Sequence, residues 1–81
     1  MISCDNYDYI EIACMYRYLV RVLLVSGEQI QGLALDTKRN QHKQECILLE
    51  QANQQILVVL DDIEQLEVLV DNPHFTKVSF T

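Results

Sequence analysis

The stretch RYLVRVLLV, residues 17–25, decides the fold class, because its apolar side chains recur at every second position, as they do in a β-strand. One face of that strand carries Tyr18, Val20, Val22 and Leu24. The turn signal SGE follows at 26–28, and EQIQGLAL, residues 28–35, predicts the returning strand of an antiparallel hairpin. Gly32, in the interior of this second strand, predicts a bend or bulge.

More segments downstream have the composition of strands. They are ECILLEQ (45–51), QQILVVL (54–60), EQLEVLV (64–70) and the short FTKVSF (75–80). DTKRNQHKQ, residues 36–44, is polar and basic and predicts a loop, and DDI at 61–63 interrupts the strand pattern. We expect a single domain, residues 1–81, with strands over about 17–80 that form a strongly bent antiparallel sheet or a small open barrel.

A helix is predicted ahead of the first strand, over about residues 5–16. Its apolar stripe, at helical spacing, consists of Tyr9, Ile12, Ala13 and Tyr16. Asp5, Asp8 and Glu11 repeat every third residue along another side, and Asp5 is the expected N-cap, which stabilises a helix by about 1 kcal/mol over Ala. The expected class is therefore mainly β with one N-terminal helix, and this helix must dock on the sheet to be stable.

The charge of the chain restricts its partners. Twelve acids against six bases give a formal net charge of −6. Nucleic acids and anionic membranes repel a field of this sign, whereas a basic protein surface is attracted by it. We therefore expect no direct nucleic-acid binding and no membrane association.

The cysteines are few and poorly spaced for a disulfide framework or a zinc site. Cys4, Cys14 and Cys46 form no C-x-x-C pair, and only two histidines are present to assist them. Reduced thiols, as in the cytoplasm, are the better interpretation. We also expect no signal peptide, because the N-terminus lacks a basic segment followed by an apolar core.

Enzymatic chemistry has no support in the sequence. There is no glycine-rich phosphate loop, no G-x-S-x-G and no pair of histidines at metal-binding spacing. The adjacent Asp61 and Asp62 are more typical of a turn than of a shared proton. We expect no catalytic residues, no cofactor and no metal.

RNA binding is an alternative, because small bent barrels often bind RNA in a positive groove with interleaved aromatic residues. The only basic cluster, Lys38, Arg39 and Lys43, lies in the predicted loop 36–44, whereas the tyrosines are grouped with acids. An Sm-like RNA-binding protein that assembles into a ring is one alternative function. An acidic adaptor of some other basic protein is another.

The segment CDNYDYIEIAC, residues 4–14, is acidic and aromatic and contains no base. Helix capping explains Asp5 and Asp8, since acids near a helix N-terminus contribute about 0.3–1 kcal/mol each. It does not explain Glu11, which lies too far from the N-terminus, or Tyr7, which falls off the expected apolar stripe. Two interpretations of this segment therefore stay open, a role in binding a partner and a purely structural role.

The chain resembles the Rof family of Rho-binding antiterminators over essentially its whole length. The resemblance is carried by C-D-x-Y-D-x-x-E-x-A-C at residues 4–14, by the strand, SGE and returning strand that follow, and by L-D-x-I at 60–63. It implies a small cytoplasmic bacterial protein whose N-terminal helix lies on a bent sheet similar to Sm-like barrels. It also implies binding to the primary RNA-binding domain of the termination factor Rho, and inhibition of Rho-dependent termination.

Matched by position, the resemblance implies six residues that face Rho: Asp5, Tyr7, Asp8, Glu11, Arg39 and Asn40. Loop 36–44 differs from the family pattern in length and composition, and Asp62 stands where relatives can carry a base. We hypothesise that the helix carboxylates take the positions of RNA phosphates and that Tyr7 presents a ring where a base would stack. An inhibitor of this kind is expected to be monomeric when free.

Overall fold

The computed structural model describes residues 4–80, which form one helix followed by six strands. The elements are α1 (Cys4–Met15), β1 (Leu19–Leu24), β2 (Gln29–Arg39), β3 (Glu45–Gln51), β4 (Gln54–Val59), β5 (Ile63–Val68) and β6 (Lys77–Ser79). A single 3-10 turn, Leu60–Asp62, separates β4 from β5, where the sequence predicted an interruption. No helix within residues 4–80 is long and apolar enough to cross a membrane.

The six strands form one antiparallel sheet in the order β4-β3-β2-β1-β5-β6. The prediction of a mainly β protein with an N-terminal helix and an antiparallel sheet is confirmed, and β6 is the short edge strand expected from FTKVSF. Within residues 4–80, β4 and β6 each pair with a single neighbour, so the sheet is not closed into a barrel.

The core is formed by the alternating side chains of the strands. Val20 and Val22 of β1 are fully buried, and Tyr18 and Leu24 on the same face pack against the core, as the period of two predicted. Residues of other elements complete the cluster, among them Ile47, Leu49, Leu60, Ile63 and Leu66. Burial of each such side chain contributes about 1.5–3 kcal/mol, which is how a chain of this size is held together.

The β1–β2 hairpin closes through the predicted SGE turn, where Gly27 has a φ of 95°. Of the bend or bulge predicted at Gly32, the bulge is wrong, because Gly32 pairs regularly with Val20 and the register of β2 against β3 shifts between Ala34 and Asp36 instead. Gly32 has a different role. A Cβ atom at this position would lie 2.7 Å from the backbone oxygen of Glu50, so glycine allows β3 to approach β2 closely.

Helix α1 packs on the sheet through a stripe that differs from the predicted one. Ile10 and Ala13 are fully buried, with Tyr7 and Cys14 packed beside them, whereas Tyr16 is 52% exposed. The predicted stripe is therefore wrong. Only one of its four residues, Ala13, is fully buried, and the others are Tyr9, Ile12 and Tyr16. The helix also begins at Cys4, so Asp5 lies in its first turn and is not the N-cap.

The C-terminal end of α1 is a Schellman motif that turns the chain into β1. Tyr18 donates its backbone N–H to the oxygen of Ala13 at 3.0 Å, and Arg17 donates to the oxygen of Cys14 at 3.2 Å. Arg17 occupies the position that usually carries glycine, with a φ of 52°. This motif fixes the backbone on either side of Tyr16.

Candidate functional site

Three carboxylates line the side of α1 that faces away from the sheet, and we call Asp5, Asp8 and Glu11 the acidic face. All three are exposed, which agrees with their predicted separation from the buried stripe. The helix contains no basic residue, and no ion pair within residues 4–80 neutralises the acidic face. The molecule therefore presents concentrated, uncompensated negative charge along one side of a helix.

Helix stability accounts for only part of the acidic face. Asp5, in the first turn, interacts favourably with the helix dipole, and such a contact is worth about 0.3–1 kcal/mol. Asp8 and Glu11 lie beyond the first turn, where this effect has largely decayed. Their exposure leaves both carboxylates available to an external cation.

Tyr7 borders the acidic face on the side of strand β2. It lies three residues before Ile10 and seven before Cys14, so it shares their side of the helix and is half-buried against the core. The interpretation that Tyr7 falls off the apolar stripe is thus wrong. A shallow pocket brings Tyr7 together with the end of β2 and the start of β3, and its other lining residues are Thr37, Lys38, Arg39 and Glu45.

Arg39 lies in β2, because this strand continues well into the segment predicted as loop 36–44. Pairing with β3 explains the extension, since Lys38 is opposite Cys46 and Arg39 is opposite Glu45. The guanidinium of Arg39 lies 3.8 Å from the carboxylate of Glu45, and both side chains are largely exposed. Such an ion pair contributes about 0–1 kcal/mol, so Arg39 is readily available to a partner.

Asn40 organises the short loop that follows β2. Its Oδ1 accepts hydrogen bonds from the backbone N–H groups of His42 at 2.9 Å and Gln44 at 3.0 Å, and its Nδ2 donates to Oε1 of Gln44 at 3.0 Å. The amide is therefore engaged within the loop itself. A direct contact between Asn40 and a partner stays a prediction, while its structural role beside Arg39 is plain.

An aromatic cluster flanks the other side of α1, and sequence reasoning missed it. The rings of Tyr16 and His74 stack with centroids 4.9 Å apart, Tyr16 and Tyr18 stack at 5.5 Å, and Tyr9 meets Phe75 edge-on at 4.9 Å. The sequence assigns Phe75 to the short strand predicted over 75–80, and residues 71–74, DNPH, indicate only a break before that strand. Nothing in their local pattern indicates that they reach back to the helix.

Asn72 holds the turn that delivers His74 and Phe75 to the helix. Its Oδ1 accepts hydrogen bonds from the backbone N–H groups of His74 at 2.8 Å and Phe75 at 3.0 Å. Its Nδ2 donates to the backbone oxygens of Val70 and Phe75, both at 3.0 Å. The Asn-Pro pair was the available signal, since asparagine before proline is typical of a turn stabilised by its own side chain.

The thiols near the helix are suited to packing. Burial raises the pKa of Cys14 to about 11, with smaller contributions from the charges of Asp36 and Glu11. Cys46 is buried, donates its thiol to the oxygen of Gln44 at 3.4 Å, and also has a raised pKa because of burial. Neither thiol is activated as a nucleophile. Among residues 4–80, no group of three His, Cys, Asp or Glu side chains is placed to hold a metal ion.

Known proteins resemble this chain in both sequence and structure. The family model described as "Modulator of Rho-dependent transcription termination (ROF)" matches residues 1–80. "Protein rof" of Escherichia coli (strain K12) is 32% identical over 62 residues, which are 76% of this chain and 73% of that protein, and "Protein rof" of Shigella flexneri gives the same values. A solved structure, "YaeO bound to Magnesium from Vibrio cholerae O395", has a TM-score of 0.89 and 41% identity, and the match covers 93% of this chain and 97% of that one.

Proposed function

Because this chain belongs to the Rof family of modulators of Rho-dependent transcription termination, we propose that it inhibits this termination by binding Rho. The contact is made by the acidic face of α1 on the primary RNA-binding domain of Rho, and RNA can then no longer load. The observation that carries the proposal is the exposure of Asp5, Asp8 and Glu11 on a helix that has no basic residue.

The mechanism is competition for a cationic cleft. A site for single-stranded RNA offers Lys and Arg side chains to phosphates and a flat surface to bases. Asp5 and Glu11 lie six residues apart, about 9 Å along the helix axis, so the carboxylates form a row and not a single point of charge. Such a row is complementary to cations spaced along a strand-binding groove.

Arg39 and Asn40 extend the same surface beyond the helix. Tyr7 and Arg39 line one shallow pocket, which places the end of β2 beside the helix. Arg39, at the end of β2, would reach acidic or carbonyl groups on Rho, while Asn40 orders the loop that follows it. Tyr7, half-buried, contributes the edge of its ring to this contact.

The remaining features fit an inhibitor that acts by binding alone. We propose that residues 1–81 form a single Sm-like domain with a strongly bent sheet, monomeric when free and cytoplasmic. It needs no cofactor and performs no catalysis. It does not bind nucleic acid directly, since its net charge of −6 opposes an RNA strand.

The test is Rho binding by a charge-reversed helix. In the double variant Asp8→Lys and Glu11→Lys, both changed side chains are exposed, so the fold should be retained. A matched control, Glu28→Lys with Asp62→Lys, makes the same change in net charge at exposed positions at the far end of β1. We expect the helix variant to lose at least about tenfold in affinity for Rho and the control to lose less than about threefold. If the folded helix variant bound Rho with wild-type affinity, the proposal would be wrong.

A further inference from the structure

The last residue of α1 and the residue that follows it are exposed, like the acidic face, but carry no charge. Met15 is 71% exposed and Tyr16 is 52% exposed. Met15 follows Glu11 by four residues and Asp8 by seven, so it lies on the same side of the helix, directly beyond the acids. The exposed side of α1 is therefore acidic along its first turns and apolar at its end.

Tyr16 is also held in place. Its ring stacks on His74 and on Tyr18, and the Schellman motif fixes the backbone on both sides of it. His74 is in turn positioned by its backbone hydrogen bond to Asn72. An exposed ring that is already ordered loses little conformational entropy when a partner covers it, which is the property of an interface anchor.

The ring of Tyr7 is less suited to that role. Tyr7 is half-buried and packed against the core, so much of its surface is already covered by its own domain. Among the tyrosines and phenylalanines of residues 4–80, Tyr16 alone is exposed. If any ring of this region enters a cleft, Tyr16 has the surface to do so.

We propose that Met15, Tyr16 and His74 form an apolar anchor that continues the acidic face and fills the base-stacking part of the RNA-binding cleft of Rho. This inference rests on the proposed function and adds residues to it. A cleft for single-stranded RNA requires both components, cations for phosphates and an apolar or aromatic surface for bases. The exposed side of α1 supplies a counterpart for each, in order along one helix.

Charge favours Rho as the partner of this anchor over an RNA strand and over a second copy of this chain. An RNA strand stacked on Tyr16 would lie beside Glu11 and Asp8, which repel its phosphates. A second copy related by a two-fold axis would bring one acidic face against another, since such an interface joins the same patch on both chains. A basic protein surface that binds stacked bases is repelled in neither way, because its charge is opposite to that of the acidic face.

The experiment compares association and dissociation rates of the full chain on purified Rho at two salt concentrations. The variants are Met15→Ser, Tyr16→Ala and Tyr16→Phe, with Val25→Ala as the control, because Val25 is 59% exposed at the distant β1–β2 turn. We expect Met15→Ser and Tyr16→Ala each to dissociate at least about fivefold faster, with unchanged association rate and salt dependence, since no charge is removed. Tyr16→Phe keeps the ring and should behave as wild type, as should Val25→Ala.

The outcomes separate this inference from the proposed function. Wild-type dissociation in both Met15→Ser and Tyr16→Ala overturns the anchor, and the proposed function stands if Asp8→Lys with Glu11→Lys still loses affinity. Because Met15 is 71% exposed, we expect its replacement to change the stability of the fold little. Binding of a single-stranded oligonucleotide that Tyr16→Ala abolishes would assign the cluster to RNA and also overturn the anchor. No affinity of the wild-type chain for Rho overturns both.

Discussion

The ring of Tyr16 stacks on the imidazole of His74, with centroids 4.9 Å apart and planes inclined by 25°. The next residue after His74, Phe75, meets Tyr9 edge-on at the same centroid distance. Two consecutive residues of the Asn72 turn thus contact Tyr9 in the helix and Tyr16 directly after it, seven residues apart and about 10 Å along the axis. The helix is held from below by the sheet and from one side by this turn, so its acidic face has a defined orientation.

The end of α1 offers a simple stability test at Arg17. This residue has a φ of 52°, a conformation that costs a side-chain-bearing residue about 1–2 kcal/mol and costs glycine almost nothing. Glycine also gains freedom in the unfolded chain, which offsets part of the benefit. We expect Arg17→Gly to stabilise the fold by about 0.5–1 kcal/mol, measured by urea denaturation. Arg17→Ala removes the same charge without relieving the backbone. If Arg17→Ala stabilised the protein as much, the conformational explanation would be wrong.

The close contact of β2 with β3 predicts that Gly32→Ala is harmful. The new methyl group would lie 2.7 Å from the backbone oxygen of Glu50, and a backbone atom cannot move aside without disturbing the strand pairing. We expect a loss of about 1–3 kcal/mol, visible as a lower midpoint of thermal unfolding. Gln31→Ala, at the adjacent exposed position of the same strand, is the control and should change the midpoint little. Equal effects of the two substitutions would contradict the packing argument.

The buried thiol of Cys14 predicts a loss of stability in alkaline solution. Its pKa is raised from the ordinary value of 9.0 to about 11 in the folded chain. The folded state keeps this proton to a higher pH than the unfolded state. The contribution of the Cys14 thiol to the free energy of unfolding is therefore complete below pH 9 and is lost as the pH rises toward 11. The free energy of unfolding of the wild type should therefore fall more steeply over this range than that of Cys14→Ala. Parallel curves for the two proteins would show that Cys14 is not the group responsible.

Much of the fold follows from spacing alone. Alternation in β1 predicted which face is buried, and the SGE turn predicted the return of the chain, because both depend on residues close in sequence. The exposure of Asp8 and Glu11 followed from their charge and from a spacing of three residues. These signals are local, and local signals are what a sequence carries most clearly.

The errors arise where distant parts of the chain decide the outcome. Apolar residues occupy most of the circumference of α1, so the sequence alone did not select Ile10 as the partner of Ala13 on the buried side over Tyr9 and Tyr16. Polar residues of the predicted loop 36–44 became strand because β3 supplies their hydrogen-bonding partners. The contact of Tyr16 with His74 joins the two ends of the domain, and no short-range pattern encodes it.

Displacement of RNA from Rho tests the central claim most directly. A fluorescently labelled single-stranded oligonucleotide is bound at the primary site of Rho, the unlabelled chain is titrated in, and fluorescence anisotropy and the mass of the complex are measured together. We expect the wild-type chain to release the oligonucleotide as it binds, and Asp8→Lys with Glu11→Lys not to release it at the same concentration. A stable complex that contains Rho, the wild-type chain and the oligonucleotide at full occupancy would contradict it.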